Sequence, residues 1–268
     1  KDGIRIAVDY SYINRFTRND PFPVPDIESI IQRVGGAKLI STFDESAGYH
    51  QTKVREGDEP LTAFVCEDGV FEFVRTPFGG RACGATFLRA IQLALKPLRA
   101  NTDSYVDDMI VHTHVEGLQK HLQNIENFLK RMREVHITLK LRKCRFAQRE
   151  VKFCGKIIGS GRKCPDPDKV AAVQGLKPAR TKTEIRSLLG CFSYFREHIA
   201  NFAVIAKPLT DLTAKGIPNT VPWTDVHTAA LARLKKALCD ATANPLQIAD
   251  FTRPFHITVD ACESGVAG

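Results

Sequence analysis

The sequence predicts an α+β fold. Short apolar or alternating runs at 4–8, 39–43, 70–74 and 104–113 read as strands. Leu118, Leu122, Ile125, Leu129 and Met132 recur at spacings of four, three, four and three, one face of an amphipathic helix packed on a core. Ser104 to Thr113 reads as strand, turn, strand, with Asp107-Asp108 at the turn.

Each element follows from its residues. Ile4, Ile6 and Val8 alternate with Arg5, Ala7 and Asp9, a strand pattern. Pro21, Pro23 and Pro25 break regular structure. Ile27, Ile30, Ile31 and Val34 then follow at helical spacing until Gly35-Gly36 stops the helix. Leu39 to Phe43 is a short strand ending in Asp44, and Val70 to Val74 is another. Ala85 to Leu98 is helical and apolar enough to be buried. Val151, Phe153, Ile157 and Ile158 suggest a hairpin, and Pro165 and Pro167 mark a boundary. Thr181 and Glu184 have capping-box spacing before a helix to about Ile199. Asp225 is placed to cap a helix carrying Leu231, Leu234 and Leu238, and 255–260 reads as a final strand.

A length of 268 residues gives about two domains and enough chain for a core without staples. The 43% hydrophobic and 25% charged residues exclude a largely disordered chain. No apolar run reaches the length of a transmembrane helix, so no membrane association is expected. Lys1-Asp2-Gly3 reads as the middle of a hairpin rather than as a signal peptide, so the chain is expected to be a fragment cut inside two folding units and not secreted. Eight scattered cysteines without a C-x-x-C pair point to buried free thiols in a reducing compartment rather than to zinc.

The net charge is +8, which suits a polyanionic partner. Residues 130–163 hold twelve Lys or Arg against two Glu, more excess charge than the whole chain. Alternation with apolar residues implies a folded basic surface, a reasonable track for a phosphate backbone.

The sharpest local signal is Tyr105-Val106-Asp107-Asp108. Adjacent strand side chains point to opposite faces, so neighbouring carboxylates converge only at a tight turn. Like charges held close raise each other's proton affinity unless a cation lies between them, and Mg²⁺ prefers carboxylate oxygens. Asp44, ending its strand before Gly48-Tyr49, supplies a third acid. Three carboxylates suffice for two metal ions and suit in-line phosphoryl or nucleotidyl transfer. Taken alone, the pair also reads as a solvated turn.

The ordered motifs Asp2-Gly3-Ile4-Arg5, Val8-Asp9-Tyr10, Phe43-Asp44, Gly48-Tyr49-His50-Gln51, Thr62-Ala63-Phe64, Thr76-Pro77-Phe78-Gly79, Ala85-Thr86-Phe87 and Tyr105-Val106-Asp107-Asp108 together resemble the reverse transcriptase of gypsy-type LTR retrotransposons. The likeness continues through Leu141-Arg142-Lys143-Cys144-Arg145-Phe146, Val151-Lys152-Phe153-Cys154-Gly155, Pro165-Asp166-Pro167-Asp168-Lys169-Val170, Arg186-Ser187-Leu188-Leu189-Gly190 and Lys207-Pro208-Leu209-Thr210. It implies a right-hand polymerase with an antiparallel palm sheet flanked by helices. Residues 1–160 would be partial fingers and palm, 161–215 thumb, 216–250 connection and 251–268 the start of an RNase H-like domain. Asp260 matches that domain's first metal-binding acid, and one acid alone cannot build its site.

The same resemblance implies site roles. Asp44, Asp107 and Asp108 would be the catalytic, metal-binding acids, with two Mg²⁺ ions (Mn²⁺ as the substitute). Arg5, Ala47, Gly48, Tyr49, Phe78 and Gly79, assisted by Lys1, would bind the dNTP, with Tyr49 excluding a 2′-hydroxyl. Tyr105, Lys143, Cys154, Gly155 and Lys156 would meet primer and template. Implied partners are an RNA template, a DNA primer or RNA–DNA hybrid, dNTPs, and the protease, RNase H and integrase of a Pol polyprotein. The implied location is cytoplasmic, in retrotransposon particles.

Gly80-Arg81-Ala82-Cys83-Gly84 and Leu88 depart from the family pattern, and Glu45 puts a further acid beside Asp44, either perturbing metal binding or pointing away. The missing part of the fingers weighs against activity of the fragment by itself. The alternative is a decayed or host-adopted fragment that binds nucleic acid without polymerising. An RNA-directed RNA polymerase palm shares the acids, but Tyr49 argues against it.

Overall fold

The computed structural model describes residues 7–251, 253–255, 259–262 and 265–267. Lys1, Arg5 and most of the strand expected at 4–8 lie outside them. Residues 7–10 have no regular structure and lead into the one-turn helix α1 (Ser11–Asn14).

Helix α2 (Ile27–Gly35) starts where Asp26 accepts the Ser29 N–H at 2.9 Å, an N-cap, and it buries Ile30, Ile31 and Val34. Strand β1 (Leu39–Asp44) follows. Next come a small hairpin of β2 (Phe64–Cys66) and β3 (Gly69–Phe71), helix α3 (Cys83–Leu95), the hairpin β4 (Thr102–Tyr105) and β5 (Asp108–Thr113), helix α4 (Leu118–Glu134) and strand β6 (Arg145–Gln148). The expected strand at 70–74 is shorter because pairing with β2 ends at Phe71: the Phe73 N–H goes to Thr62 Oγ1, and the Val74 carbonyl accepts the Val54 N–H instead.

Strands β4, β5, β1 and β6 form one antiparallel sheet in that order. It is covered on both faces, which explains the unbroken apolar run of β5. Ile40 and Ile110 face α2 and a second sheet, while Phe43, Met109 and Val111 face α3 and α4.

The core face of α4 differs from the expected one. Ile125 and Met132 are buried, but Leu118, Leu122 and Leu129 are exposed, and His121, Asn124 and Phe128 point inward instead. A satisfied polar network rotates the helix. The His121 ring lies 2.8 Å from both Ser41 Oγ and Thr113 Oγ1, and Asn124 donates to Thr113 Oγ1 at 2.8 Å. Hydrogen-bonded in this way, two polar side chains take core positions that a hydrophobicity pattern gives to leucines.

The second sheet contains the expected hairpin, β7 (Glu150–Phe153) and β8 (Lys156–Gly159), followed by β9 (Arg162–Pro165). Four helices come next: α5 (Pro167–Gln174), α6 (Lys182–Ser193), α7 (Phe202–Asp211) and α8 (Asp225–Ala243). Strand β10 (Leu246–Gln247) returns to pair with β9. Leu188, Phe192, Phe195, Leu209, Leu234 and Leu238 form the core of this helical half.

Helix α6 stops at Ser193 rather than near Ile199, because the chain tightens into a 3₁₀ turn at Arg196–His198 that buries Phe195 and Ile199. The cap of α8 is Thr224, with His227 completing a capping box, so Asp225 is the first helical residue rather than the cap. A last hairpin joins β11 (Asp260–Cys262) to β12 (Gly265–Ala267), with Asp260 opposite Ala267.

The seven cysteines whose side chains are described are free thiols, but Cys66, Cys191 and Cys239 are exposed rather than buried. Among the described residues no helix is long and apolar enough to cross a membrane.

Candidate active site

Period-two alternation puts Asp44 on the same face of β1 as Ile40, and Asp108 on the same face of β5 as Ile110. The antiparallel register then sets Asp44 directly opposite Asp108 at the end of the sheet. Asp107 lies in the two-residue turn between the paired residues Tyr105 and Asp108. Val106, the other turn residue, has φ of 52°, an uncommon conformation for a β-branched side chain. Strain of this kind persists only where the surroundings enforce it.

The three carboxylates share one cleft. Asp44, Tyr105, Asp107, Asp108, Cys154, Gly155 and Tyr194 are among the residues lining a cavity of about 730 Å³ between the first sheet, the β7–β8 turn and the helical half. Burial raises the proton affinity of Asp107 and Asp108, and the charge of Asp44 raises it further. Lys143 acts in the opposite direction, its ammonium standing 2.8 Å from Asp44 Oδ2. Among the described residues no group of three or more His, Cys, Asp or Glu is already placed to hold a metal ion. The acids instead make an open, mutually repelling set, which is the donor chemistry a hard divalent cation satisfies.

Glu45 points away from the pair. The backbone continues pairing past β1, with Lys140 N–H on the Asp44 carbonyl at 2.8 Å and Ser46 N–H on the Thr138 carbonyl at 3.0 Å. Alternation therefore turns Glu45 inward with Phe43. It is 5% exposed, and burial, followed by the charges of Asp107 and Asp44, pushes its carboxyl up to about 8.

Next to the acids, Ala47 (φ 64°) and Gly48 (φ 39°) lead into the 3₁₀ turn Gly48–Gln51. A Cβ on Gly48 would stand 3.6 Å from both Asp107 carboxylate oxygens, so the small residue keeps the approach to that acid open. Gln51 anchors the turn, accepting the Thr138 N–H at 2.6 Å and donating to the Thr138 carbonyl at 3.0 Å. The Tyr49 ring lies between Phe78, 5.3 Å away, and Phe87, 5.2 Å away. Gly79 is held by Asn14, which donates to its carbonyl at 2.9 Å and also accepts the Arg81 N–H at 2.8 Å. The segment 80–84 that departs from the family pattern is thus pinned to α1 and runs into the start of α3.

Across the cleft, Cys154 (φ 46°) and Gly155 (φ 73°) form the two-residue turn between β7 and β8. Positive φ at both central positions matches the tightest hairpin turns, which favour glycine or asparagine.

Of the sequence-derived set, Asp44, Tyr105, Asp107, Asp108, Cys154 and Gly155 line this cleft, Gly48 (next to Ala47) adjoins Asp107, Lys143 pairs with Asp44, and Tyr49 packs on Phe78, whereas Gly79 stands against Val8 and Tyr10. Lys156 is corrected. It is 3% exposed, and its ammonium is taken up by Glu28 and Glu197, so it is no free cation for a phosphate. The basic stretch is likewise partly neutralised within the fold, Lys152 by Asp166 and Asp168, and Lys163 by Glu28 and Glu197. Sequence reasoning missed Tyr194, whose hydroxyl donates to the Cys154 carbonyl. No motif marks a tyrosine brought in from the far side of a cleft.

A palm-like antiparallel sheet with acids at its open end, helices behind it and a helical half across a cleft make an α+β polymerase of the right-hand type. The chain belongs to the reverse transcriptase family: the model described as reverse transcriptase (RNA-dependent DNA polymerase) matches residues 1–158.

It is 34% identical over 267 residues to the retrovirus-related Pol polyprotein from transposon opus of Drosophila melanogaster, covering 96% of this chain and 26% of the relative. Identity to the corresponding polyprotein from transposon gypsy of the same species is 32% over 272 residues, 98% of this chain and 26% of the relative. The chain thus spans about a quarter of the length of these relatives.

Among solved structures, it resembles a foamy viral protease-reverse transcriptase dRH in complex with double-stranded DNA, at TM-score 0.82 and 27% identity over 88% of this chain and 41% of that one. It also resembles the foamy viral protease-reverse transcriptase in complex with RNA/DNA hybrid, at TM-score 0.78 and 27% identity over 88% of this chain and 32% of that one.

Proposed function

We propose that this protein is the polymerase part of a retrotransposon Pol polyprotein and acts as an RNA-directed DNA polymerase, adding dNTPs to a primer 3′-hydroxyl on an RNA or DNA template. The observation that carries the reading is the register that sets Asp44 opposite Asp108, with Asp107 in the adjoining turn, all three lining one cleft. The foamy viral relatives bound to double-stranded DNA and to RNA/DNA hybrid support a duplex in that cleft.

In this reading residues 1–160 are fingers and palm, 161–215 the thumb, 216–250 the connection and 251–268 the start of an RNase H-like domain. Asp44, Asp107 and Asp108 hold two Mg²⁺ ions, or Mn²⁺ in their place. Bound there, such ions supply charge neutralisation at the transferring phosphate and an acidified primer hydroxyl. The remaining work falls to the chain itself. The backbone N–H groups of Ala47 and Gly48 face the triphosphate, an anion-binding use of positive-φ backbone. Tyr49, wedged between Phe78 and Phe87, closes the space beside the sugar. The Cys154–Gly155 turn seats the primer end, and Lys1 and Arg5, which lie outside the described residues, complete the dNTP site. The protease, RNase H and integrase of the polyprotein are its partners, and retrotransposon particles in the cytoplasm its place of action.

The test is primer extension by protein containing this chain, on an RNA template with Mg²⁺. Asp107→Asn abolishes extension and leaves template–primer binding nearly intact; extension by that variant removes the metal assignment. One observation favours a second reading, a nucleic-acid-binding fragment that no longer polymerises: the segment Gly80-Arg81-Ala82-Cys83-Gly84, which departs from the family pattern directly after Phe78-Gly79. Full binding by the parent protein without extension supports that reading instead.

A further inference from the structure

Two lysines of the second sheet are buried among carboxylates from distant parts of the chain. Lys156 is 3% and Lys163 7% exposed. Lys156 Nζ pairs with Glu28 and, at 2.5 Å, with Glu197. Lys163 Nζ stands 2.6 Å from Glu28 and 2.5 Å from Glu197. Each cation touches both anions, so the four side chains close a ring. Glu28 comes from α2, the lysines from β8 and β9, and Glu197 from the turn after α6. Removing one charge from such a ring leaves another buried and uncompensated, so the ring holds these elements in a single arrangement.

A second contact leads from the same helical segment to the cleft. Tyr194 donates its hydroxyl to the Cys154 carbonyl, and a Cβ on Gly155 would meet its ring at 3.7 Å. The same ring lies 5.7 Å from Lys156 Nζ. Burial, then the neighbouring Cys154, Tyr105, Glu28 and Glu197, push the Tyr194 hydroxyl up to about 12, so it stays a donor at working pH. Phe195, next to Tyr194, and His198, next to Glu197, are buried and fix the segment in the helical half.

We propose that Tyr194 and Glu197 are positioning residues through which the helical half sets where the Cys154–Gly155 turn stands relative to Asp107 and Asp108, and so where the primer end lies. The inference rests on the reading of that turn as the primer seat. Neither residue touches the reacting atoms. Tyr194 acts through a backbone carbonyl of the turn, and Glu197 acts through Lys156, the first residue after it. Small displacements of a reacting group slow a reaction far more than they weaken binding.

The test is single-nucleotide incorporation on a preformed template–primer complex, with template–primer affinity measured alongside. Tyr194→Phe keeps the ring and removes only the donor. It is expected to slow incorporation about tenfold and change affinity by less than about threefold. Glu197→Gln is expected to do the same at a temperature where it is fully folded. Because both act on one turn, the double variant is expected to lose no more than the slower single variant, the non-additivity of residues on a shared path. Additive losses, or parental rates in Tyr194→Phe, overturn the proposal. Gly155→Val separates the two levels. If it leaves incorporation unchanged, the primer-seat reading falls and the proposal with it. If it slows incorporation while Tyr194→Phe does not, only the positioning role falls.

Discussion

Lys143 places its ammonium 2.8 Å from the Asp44 carboxylate, at the mouth of the cleft where Asp107 and Asp108 also lie. One positive charge thus partly balances three acids. It also competes with any divalent cation for the same oxygens, because two cations near one carboxylate repel. Replacing Lys143 with Met should tighten Mn²⁺ binding to the free protein by roughly three- to tenfold, the scale of one partly solvated charge. Electron paramagnetic resonance titration of Mn²⁺ measures this without reference to catalysis. Unchanged or weaker binding means that the lysine does not share the acids with the metal.

The ring around Glu197 makes folding stability sensitive to acid. Burial alone would raise the Glu197 carboxyl, but hydrogen bonds from Lys156 and Lys163 outweigh it and bring it from 4.5 to about 2. Burial takes the adjoining His198 from 6.5 down to about 4. Between pH 6.5 and 4 the unfolded chain binds a proton on His198 that the folded chain refuses, and between 4.5 and 2 the same holds for Glu197. Both shifts make the unfolded state the better proton binder, so the stability these two groups contribute falls as pH drops through these windows. Between pH 6.5 and 4.5 the raised Glu45 carboxyl acts in the opposite sense, so the His198 contribution is read as a difference: the urea-unfolding free energy of the parent minus that of His198→Gln should fall as pH drops from 6.5 to 4. A difference between parent and His198→Gln that stays constant from pH 6.5 to 4 contradicts the burial of a neutral His198.

The site was legible where it depends on alternation and turns. Asp44 after an apolar run and Asp107-Asp108 between two strands place themselves once the strands pair. The two-residue turn at Cys154-Gly155 likewise follows from a hairpin pattern. What escaped the sequence is what distant partners decide. Lys156 reads as a surface cation because its anions, Glu28 and Glu197, lie far away along the chain. The α4 face was misread because His121 and Asn124 enter the core on hydrogen bonds to Ser41 and Thr113, which no hydropathy pattern reports. Tyr194 reaches the cleft only through the tertiary packing of α6.

Tyr49 is held between Phe78, whose ring is tilted to it, and Phe87, which it meets edge to face, and this leaves its ring little freedom to withdraw from the cleft. If that ring excludes a 2′-hydroxyl, a smaller side chain opens the space it fills. Tyr49→Val should admit ribonucleotides, raising their incorporation relative to dNTPs by about tenfold or more, on the scale of one steric contact in a pocket. Competition between rNTP and dNTP in primer extension measures it. Unchanged sugar discrimination takes Tyr49 out of the sugar site.

Glu45 works against the fold. Backbone pairing of 44–46 with 138–140 forces it inward, beside Phe43, where neither carboxyl oxygen has a hydrogen-bond partner among the described residues. An unsatisfied buried polar group costs about 1–3 kcal/mol, and a leucine of similar reach removes that cost while adding apolar contact. Glu45→Leu should therefore stabilise the protein by about 1–3 kcal/mol in urea unfolding. Glu45→Gln should gain less, since an amide in the same place still lacks partners. The order Leu, Gln, Glu is the signature of burial without a partner. A loss of stability in Glu45→Leu would mean that the carboxyl is engaged in the folded protein and that the inward face of β1 is polar by design.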